Sequence, residues 1–107
     1  MENYEMKELC LAYKRDLPNK ISVILVLWKS LKEDSWNPER FSQLYYLVHN
    51  LAGSGTIFDC KDVSDIAACA DELLYPFIKI AAEPNLKDKL AIDSVMRNLE
   101  EYSLPEF

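Results

Sequence analysis

The sequence predicts an all-α protein: an antiparallel four-helix bundle with a short additional N-terminal helix. Three observations carry that expectation. Apolar residues recur at steps of three and four along four long segments. The connections between those segments are only a few residues long, which suits antiparallel neighbours. Two glycines and five prolines among 107 residues leave little material for the tight turns of an all-β fold. Half the residues are hydrophobic and 28% are charged, the balance of a globular chain rather than a disordered one. This length supports one hydrophobic core, so residues 1–107 read as a single domain, with a leading helix over about 2–14 and a bundle over about 17–103. No repeat, low-complexity tract or Gly/Ser linker marks a boundary.

The leading segment places Met6, Leu9, Cys10 and Tyr13 on one side. Asp16-Leu17-Pro18 reads as the start of the next helix, with Asp16 as cap and Pro18 in the first turn, where its missing N–H is harmless. From there Leu17, Ile21, Ile24, Leu25, Trp28 and Leu31 keep helical spacing. The run from Ile21 to Leu27 is β-branched enough to pass for a strand, but the period continues to Leu31 and no turn pair flanks it. Asn37-Pro38-Glu39 is a clearer start: a cap residue, a proline at the first helical position, then an acid near the N-terminus. The helix that follows buries Phe41, Leu44, Tyr45, Val48, Leu51, Ala52 and Gly55 on one stripe. A third helix begins near residues 61–64 and repeats as Val63, Ile66, Ala67, Ala70, Leu73, Leu74, Phe77 and Ile78. Pro76 falls inside that pattern, so a kink or break is expected near Tyr75, and Glu83-Pro84-Asn85 closes the element. The last helix carries Leu86, Leu90, Val95, Met96, Leu99 and Tyr102 and ends before Pro105.

Charge and cysteine usage narrow the function classes. A net charge of −6 argues against the nucleic-acid backbone and against anionic membrane surfaces, leaving a protein or small-molecule partner. Cys10, Cys60 and Cys69 form an odd set without a Cys-x-x-Cys pair or zinc spacing, as expected of thiols in a reducing compartment. The acidic start Met1-Glu2-Asn3-Tyr4-Glu5 does not resemble a signal peptide, and the most apolar stretch, Ile21 to Trp28, is too short to span a bilayer. The expected setting is cytoplasmic, and the expected state is a monomer.

The single histidine lies four residues before the first of the two glycines, in His49-Asn50-Leu51-Ala52-Gly53-Ser54-Gly55. At about 100° per residue, His49 falls at the edge of the stripe centred near Val48, with Ser42, Tyr46, Gly53 and Thr56 on its side. Its ring can lean on the core and still present one edge to solvent. Gly53, at the i+4 position, leaves bare helix where a side chain would crowd the ring. From this pattern alone two readings stay open. The glycines could end the helix as a left-handed cap, or they could clear space beside a reactive imidazole. A metal site lacks further ligands at good spacing, and a nucleophilic triad through Ser54 or Cys60 lacks an arranged third group. A solitary neutral imidazole can still be a nucleophile towards phosphorus, because histidine's ordinary value near 6.5 frees a nitrogen lone pair at neutral pH.

These residues resemble the His-x-Leu-Lys/Ala-Gly-Ser-Ser/Ala/Gly signature of histidine-containing phosphotransfer domains of two-component phosphorelays. The similarity runs from about Leu11 to Leu74 and includes Leu17-Pro18, the Ile-rich segment ending in Trp28, the Asn37-Pro38-Glu39 cap and Ser64-x-x-Ala67. The resemblance implies an antiparallel four-helix bundle whose second bundle helix displays the phosphoacceptor, here His49. It implies that Gly53 opens space for the ring and an approaching receiver domain, and that Ser54 and Gly55 are the small residues of the motif, suited to close packing and to support of the ring. Two positions depart from the common pattern. Ala52 stands where many members carry a lysine, although a subset has alanine, and Asp59 stands where a glycine is usual ten residues after the histidine.

The expected function is therefore a phosphorelay intermediate. His49 would accept a phosphoryl group from a receiver-domain aspartate and pass it to another receiver, on a response regulator or a hybrid histidine kinase. The chain would be a phosphohistidine carrier rather than a turnover enzyme. It would bind no cofactor or metal itself, Mg²⁺ belonging to the receiver. The expected docking face is Ser42, Gln43, Tyr46, Asn50, Gly53 and Thr56, with Tyr46 as apolar anchor. The alternatives are a non-catalytic bundle that binds a signalling partner without transfer, motivated by Ala52 and Asp59, and an unrelated helical adaptor or dimerisation domain, motivated by the aromatics Trp36, Tyr46 and Tyr102.

Overall fold

Burial of one continuous apolar stripe decides the first element. In the computed structural model, which describes residues 3–104, α1 runs unbroken over Asn3–Glu33. The separate leading helix expected over about 2–14 is the N-terminal half of this element, its residue 2 lying outside the described residues. Asp16 is therefore no cap, and Pro18 sits inside the helix. Tyr13, Leu17, Ile21, Ile24, Trp28 and Leu31 are all buried on one face. Breaking the helix at Pro18 would disrupt that stripe, so packing overrides the lost backbone hydrogen bond. At 1.5 Å per residue, α1 spans about 46 Å, close to the longest dimension of the molecule, 47 Å.

Local signals set the other elements. The Asn37 side chain accepts hydrogen bonds from the backbone N–H groups of Glu39 and Arg40, at 2.9 and 3.1 Å, and starts α2 at Pro38–Ile57. Phe41, Leu44, Tyr45, Val48, Leu51 and Gly55 are buried as expected, with Ala52 half-buried. The next element, α3, spans Lys61–Lys79 and continues through Pro76, so no break occurs near Tyr75. It stops before Glu83-Pro84-Asn85, in a turn where Ala81 takes φ 52° and Ala82 N–H reaches back to Phe77 O at 3.0 Å. Asn85 caps α4, Leu86–Ser103, by accepting from Asp88 N–H at 2.9 Å.

The core stripe of α4 is Ile92, Val95, Met96 and Leu99. Leu86 and Leu90, expected on it, are exposed, because stepping back four and three residues from Ile92 lands on Asp88 and Lys89 instead. Lys89 spends that position on Glu83, at 2.5 Å, and on the face of Trp36. Trp36 is itself half-buried, edge-on to Trp28 and tilted against Phe41, and so is not an exposed aromatic. Each helix packs against its neighbour in sequence, and α4 returns to α1. The indole N–H of Trp28 donates to Asp93 at 2.7 Å, and Lys32 pairs with the same carboxylate oxygen at 2.6 Å. Burial raises the Asp93 carboxyl, but the Lys32 and Trp28 hydrogen bonds and the Lys32 and Arg97 charges outweigh it and hold the group below its ordinary value. Among the described residues no helix is long and apolar enough to cross a membrane.

Candidate functional site

The apolar stripe of α2 faces inward at Val48 and so turns the next residue to the rim. The His49 side chain is 59% exposed, while Val48 is fully buried. On α3 the same logic places Asp71 beside the buried Ala70, with its side chain 20% exposed. The two meet: His49 Nδ1 and Asp71 Oδ2 are 2.6 Å apart. A carboxylate can only accept, so Nδ1 carries the proton and the ring is fixed as that tautomer. The lone pair of the neutral ring then lies on Nε2, which makes no hydrogen bond among the described residues.

Aromatic rings fix the orientation further. The buried Tyr45 ring stacks on the imidazole at 5.7 Å and 24°. Tyr46 and Tyr75, both exposed, flank Tyr45 at 5.8 and 6.1 Å. Burial first, and the neighbouring Asp71 carboxylate second, push the Tyr45 phenol above its ordinary value, so it stays neutral beside the pair.

Neither glycine ends the helix. Both have helical φ and α2 passes through them to Ile57, so the left-handed cap reading does not hold. They differ in what surrounds them. A Cβ on Gly53 would meet nothing within 4 Å, which is open space one turn from His49. A Cβ on Gly55 would lie 3.0 Å from Ser64 Cβ, 3.1 Å from Cys60 O and 3.2 Å from Ser64 Cα. Gly55 is thus a point of close approach between α2 and the start of α3.

The remaining motif residues serve the scaffold. Ser54 Oγ bonds the Tyr13 hydroxyl at 2.7 Å, towards α1, and gives the ring no support. Ser64 Oγ donates to Ala52 O, leaving Thr56 to donate to Ser64 Oγ at 2.8 Å. These bonds set the register that brings Asp71 to His49. Of the expected docking face, Gln43, Tyr46, Asn50, Gly53 and Thr56 are exposed and Ser42 is half-buried. Asn50 also borders a groove against α1 of about 450 Å³ that is lined by Val23 and Leu47.

The left-handed residue that ends α2 is Asp59, at φ 60°. Cys60 N–H reaches Gly55 O at 2.6 Å and Asp59 N–H reaches Thr56 O at 3.4 Å, a Schellman turn with aspartate where glycine is easiest. Cys60 is buried there, and its burial pushes the thiol up. Among the described residues no three His, Cys, Asp or Glu side chains gather as a metal site. Sequence reasoning missed Asp71 and Tyr75. An acid at the edge of the α3 stripe was visible, but which α2 residue it faces depends on a register set by Gly55 and Ser64.

No family model, curated protein or solved structure matches the chain.

Proposed function

We propose that the chain is a phosphorelay intermediate that carries a phosphoryl group on Nε2 of His49. The observation that carries this reading is the exposed imidazole whose Nδ1 is occupied by Asp71, leaving Nε2 without a hydrogen-bond partner among the described residues and free to act as the nucleophile. The open surface at Gly53 supports it, as do the exposed rings of Tyr46 and Tyr75 beside the Tyr45–His49 stack, suited to a docking protein. In this reading the four helices form an antiparallel bundle, as their short connections and neighbour-to-neighbour packing suggest.

The donor is an aspartyl phosphate on a receiver domain. Nε2 attacks phosphorus in line with the leaving carboxylate, and a second receiver later takes the group from the phosphohistidine. Most of the catalysis is positioning, with charge on the transferring oxygens offset by the Mg²⁺ of the receiver. Ala52 supplies no cation beside the ring, so that charge must come from the partner. The chain works in the cytoplasm as a monomer.

The test is incubation of the wild type and His49→Gln with phosphorylated receivers and Mg²⁺. The reading expects an acid-labile, base-stable label on the wild type that is absent from His49→Gln. Stable complex formation with no transfer would favour a non-catalytic binding module instead.

A further inference from the structure

The chemistry of the group facing Nδ1 has consequences for the phosphorylated state. At neutral pH a carboxylate carries lone pairs and no proton, so Asp71 can only accept. An amide in its place could accept from a protonated Nδ1 or donate to a bare one. Asp71 has no such choice. With 2.6 Å between them, a bare Nδ1 would face the carboxylate lone pair to lone pair. Beside the pair, Tyr45 of α2 stacks on the ring, with Tyr46 of α2 and Tyr75 of α3 against Tyr45. No Lys or Arg pairs with Asp71 among the described residues. The carboxylate therefore acts on the ring with no Lys or Arg ion pair to offset its charge.

We propose that Asp71 keeps the proton on Nδ1 after Nε2 has been phosphorylated, holding phosphorylated His49 in its labile imidazolium form. This rests on the reading of His49 as the phosphoacceptor. In the forward step the Nε2 lone pair forms the N–P bond, the acyl-phosphate P–O bond breaks, and the receiver carboxylate leaves with the electron pair. The Nδ1 proton stays where it is. In the return step the electrons of the N–P bond go back to Nε2, and the departing ring is a neutral imidazole. Were Nδ1 bare, an imidazolide anion would have to leave, or a proton would first have to come from solvent. With Asp71 present, neither direction exchanges a proton with water. Asp71 is thus a positioning residue that favours passing the phosphoryl group on over storing it. Loss to water, which attacks phosphorus and releases inorganic phosphate, is faster for the same reason.

The experiment uses phosphoramidate, a small phosphoryl donor that needs no receiver, on the full chain as wild type, Asp71→Asn and Asp71→Glu. Phosphorus NMR follows the lifetime of the label at about pH 8 and about pH 5, either side of the ordinary histidine range, and ring-nitrogen NMR reads protonation at Nδ1. At the higher pH the label on Asp71→Asn should last about three- to tenfold longer, the range expected when a charge-assisted hydrogen bond is replaced by a neutral one. Asp71→Glu should restore the short lifetime. Ring nitrogens should report a protonated Nδ1 in the phosphorylated wild type and a bare one in Asp71→Asn. At the lower pH the lifetimes should converge, because solvent then protonates both rings. Equal lifetimes at the higher pH, a shorter one in Asp71→Asn, a bare Nδ1 in the wild type, or no label on His49 each overturns the proposal. A chain that behaves as expected here yet accepts nothing from any phosphorylated receiver instead overturns the relay function and leaves the role of Asp71 standing.

Discussion

Alanine at each of the two glycines should move stability in opposite directions. In a helix interior, replacing glycine with alanine gains about 1 kcal/mol of backbone propensity. At Gly53 the new methyl group meets nothing within 4 Å, so the full gain should appear. At Gly55 it meets three atoms at 3.0–3.2 Å, two of them backbone. Cys60 O lies in the turn held by the Cys60 N–H to Gly55 O bond and Ser64 Cα in the first turn of α3, tied back by Ser64 N–H to Cys60 O, so neither can easily yield. Overpacking of this kind costs roughly 1–3 kcal/mol, so Gly55→Ala should come out about 1 kcal/mol less stable than wild type. The two variants should then differ by about 2 kcal/mol, or roughly 8–16 °C in Tm for a domain of this size. Urea and thermal unfolding followed by circular dichroism measure both. If Gly55→Ala matched Gly53→Ala in stability, the close α2–α3 approach would be wrong. Function should divide the other way at Gly53. Gly53→Leu should fold at least as well as wild type yet lose phosphoryl transfer by blocking the surface beside His49, consistent with stability given up for access.

Four further substitutions probe the backbone and the ion pairs. Ala81 sits at φ 52° and Asp59 at φ 60°, so Ala81→Gly should stabilise by about 1 kcal/mol and Asp59→Gly by less, since aspartate tolerates that region better; denaturant midpoints report both. Pro18 removes a hydrogen bond from the interior of α1, so Pro18→Ala should raise stability by roughly 1–3 kcal/mol in the same assay; a loss would mean that the helix does not run through this point. Asp93 has a carboxyl value below its ordinary 3.8 when folded, so its contribution is complete above that value and is lost as pH falls through the lower folded one. Asp93→Asn should therefore be less stable at neutral pH and show a shallower acid limb of stability against pH.

Where a local signal and the hydrophobic period agreed, the elements could be read from the residues. Asn37 followed by Pro38 marks the start of α2 because the cap is made by adjacent atoms. Prolines misled for the opposite reason. Pro18 and Pro76 break local rules, but the buried stripe of α1 runs across Pro18 and the half-buried Phe77 and Ile78 still pack on the core beyond Pro76, and long-range packing is not visible in a window of a few residues. Leu86 and Leu90 misled because both keep helical spacing without facing the core, whose phase is set by Ile92. At the site, His49 and the clearance at Gly53 were legible because one helix contains both. Asp71 was not, because it reaches the ring only through the approach of α2 to α3 at Gly55 and Ser64. The family resemblance implies that Ser54 supports the ring, whereas its hydroxyl turns to Tyr13 on α1.

Mapping the phosphoryl group after exposure to a phosphorylated receiver tests the central claim most directly. The chain is digested under alkaline conditions, which preserve a phosphohistidine, and the fragments are sequenced by mass spectrometry. The account predicts a single modified position, His49, with the phosphoryl group on Nε2 by ring-nitrogen NMR of the intact protein. A label on any other residue, on Nδ1, or on none after every receiver has been tried would contradict it.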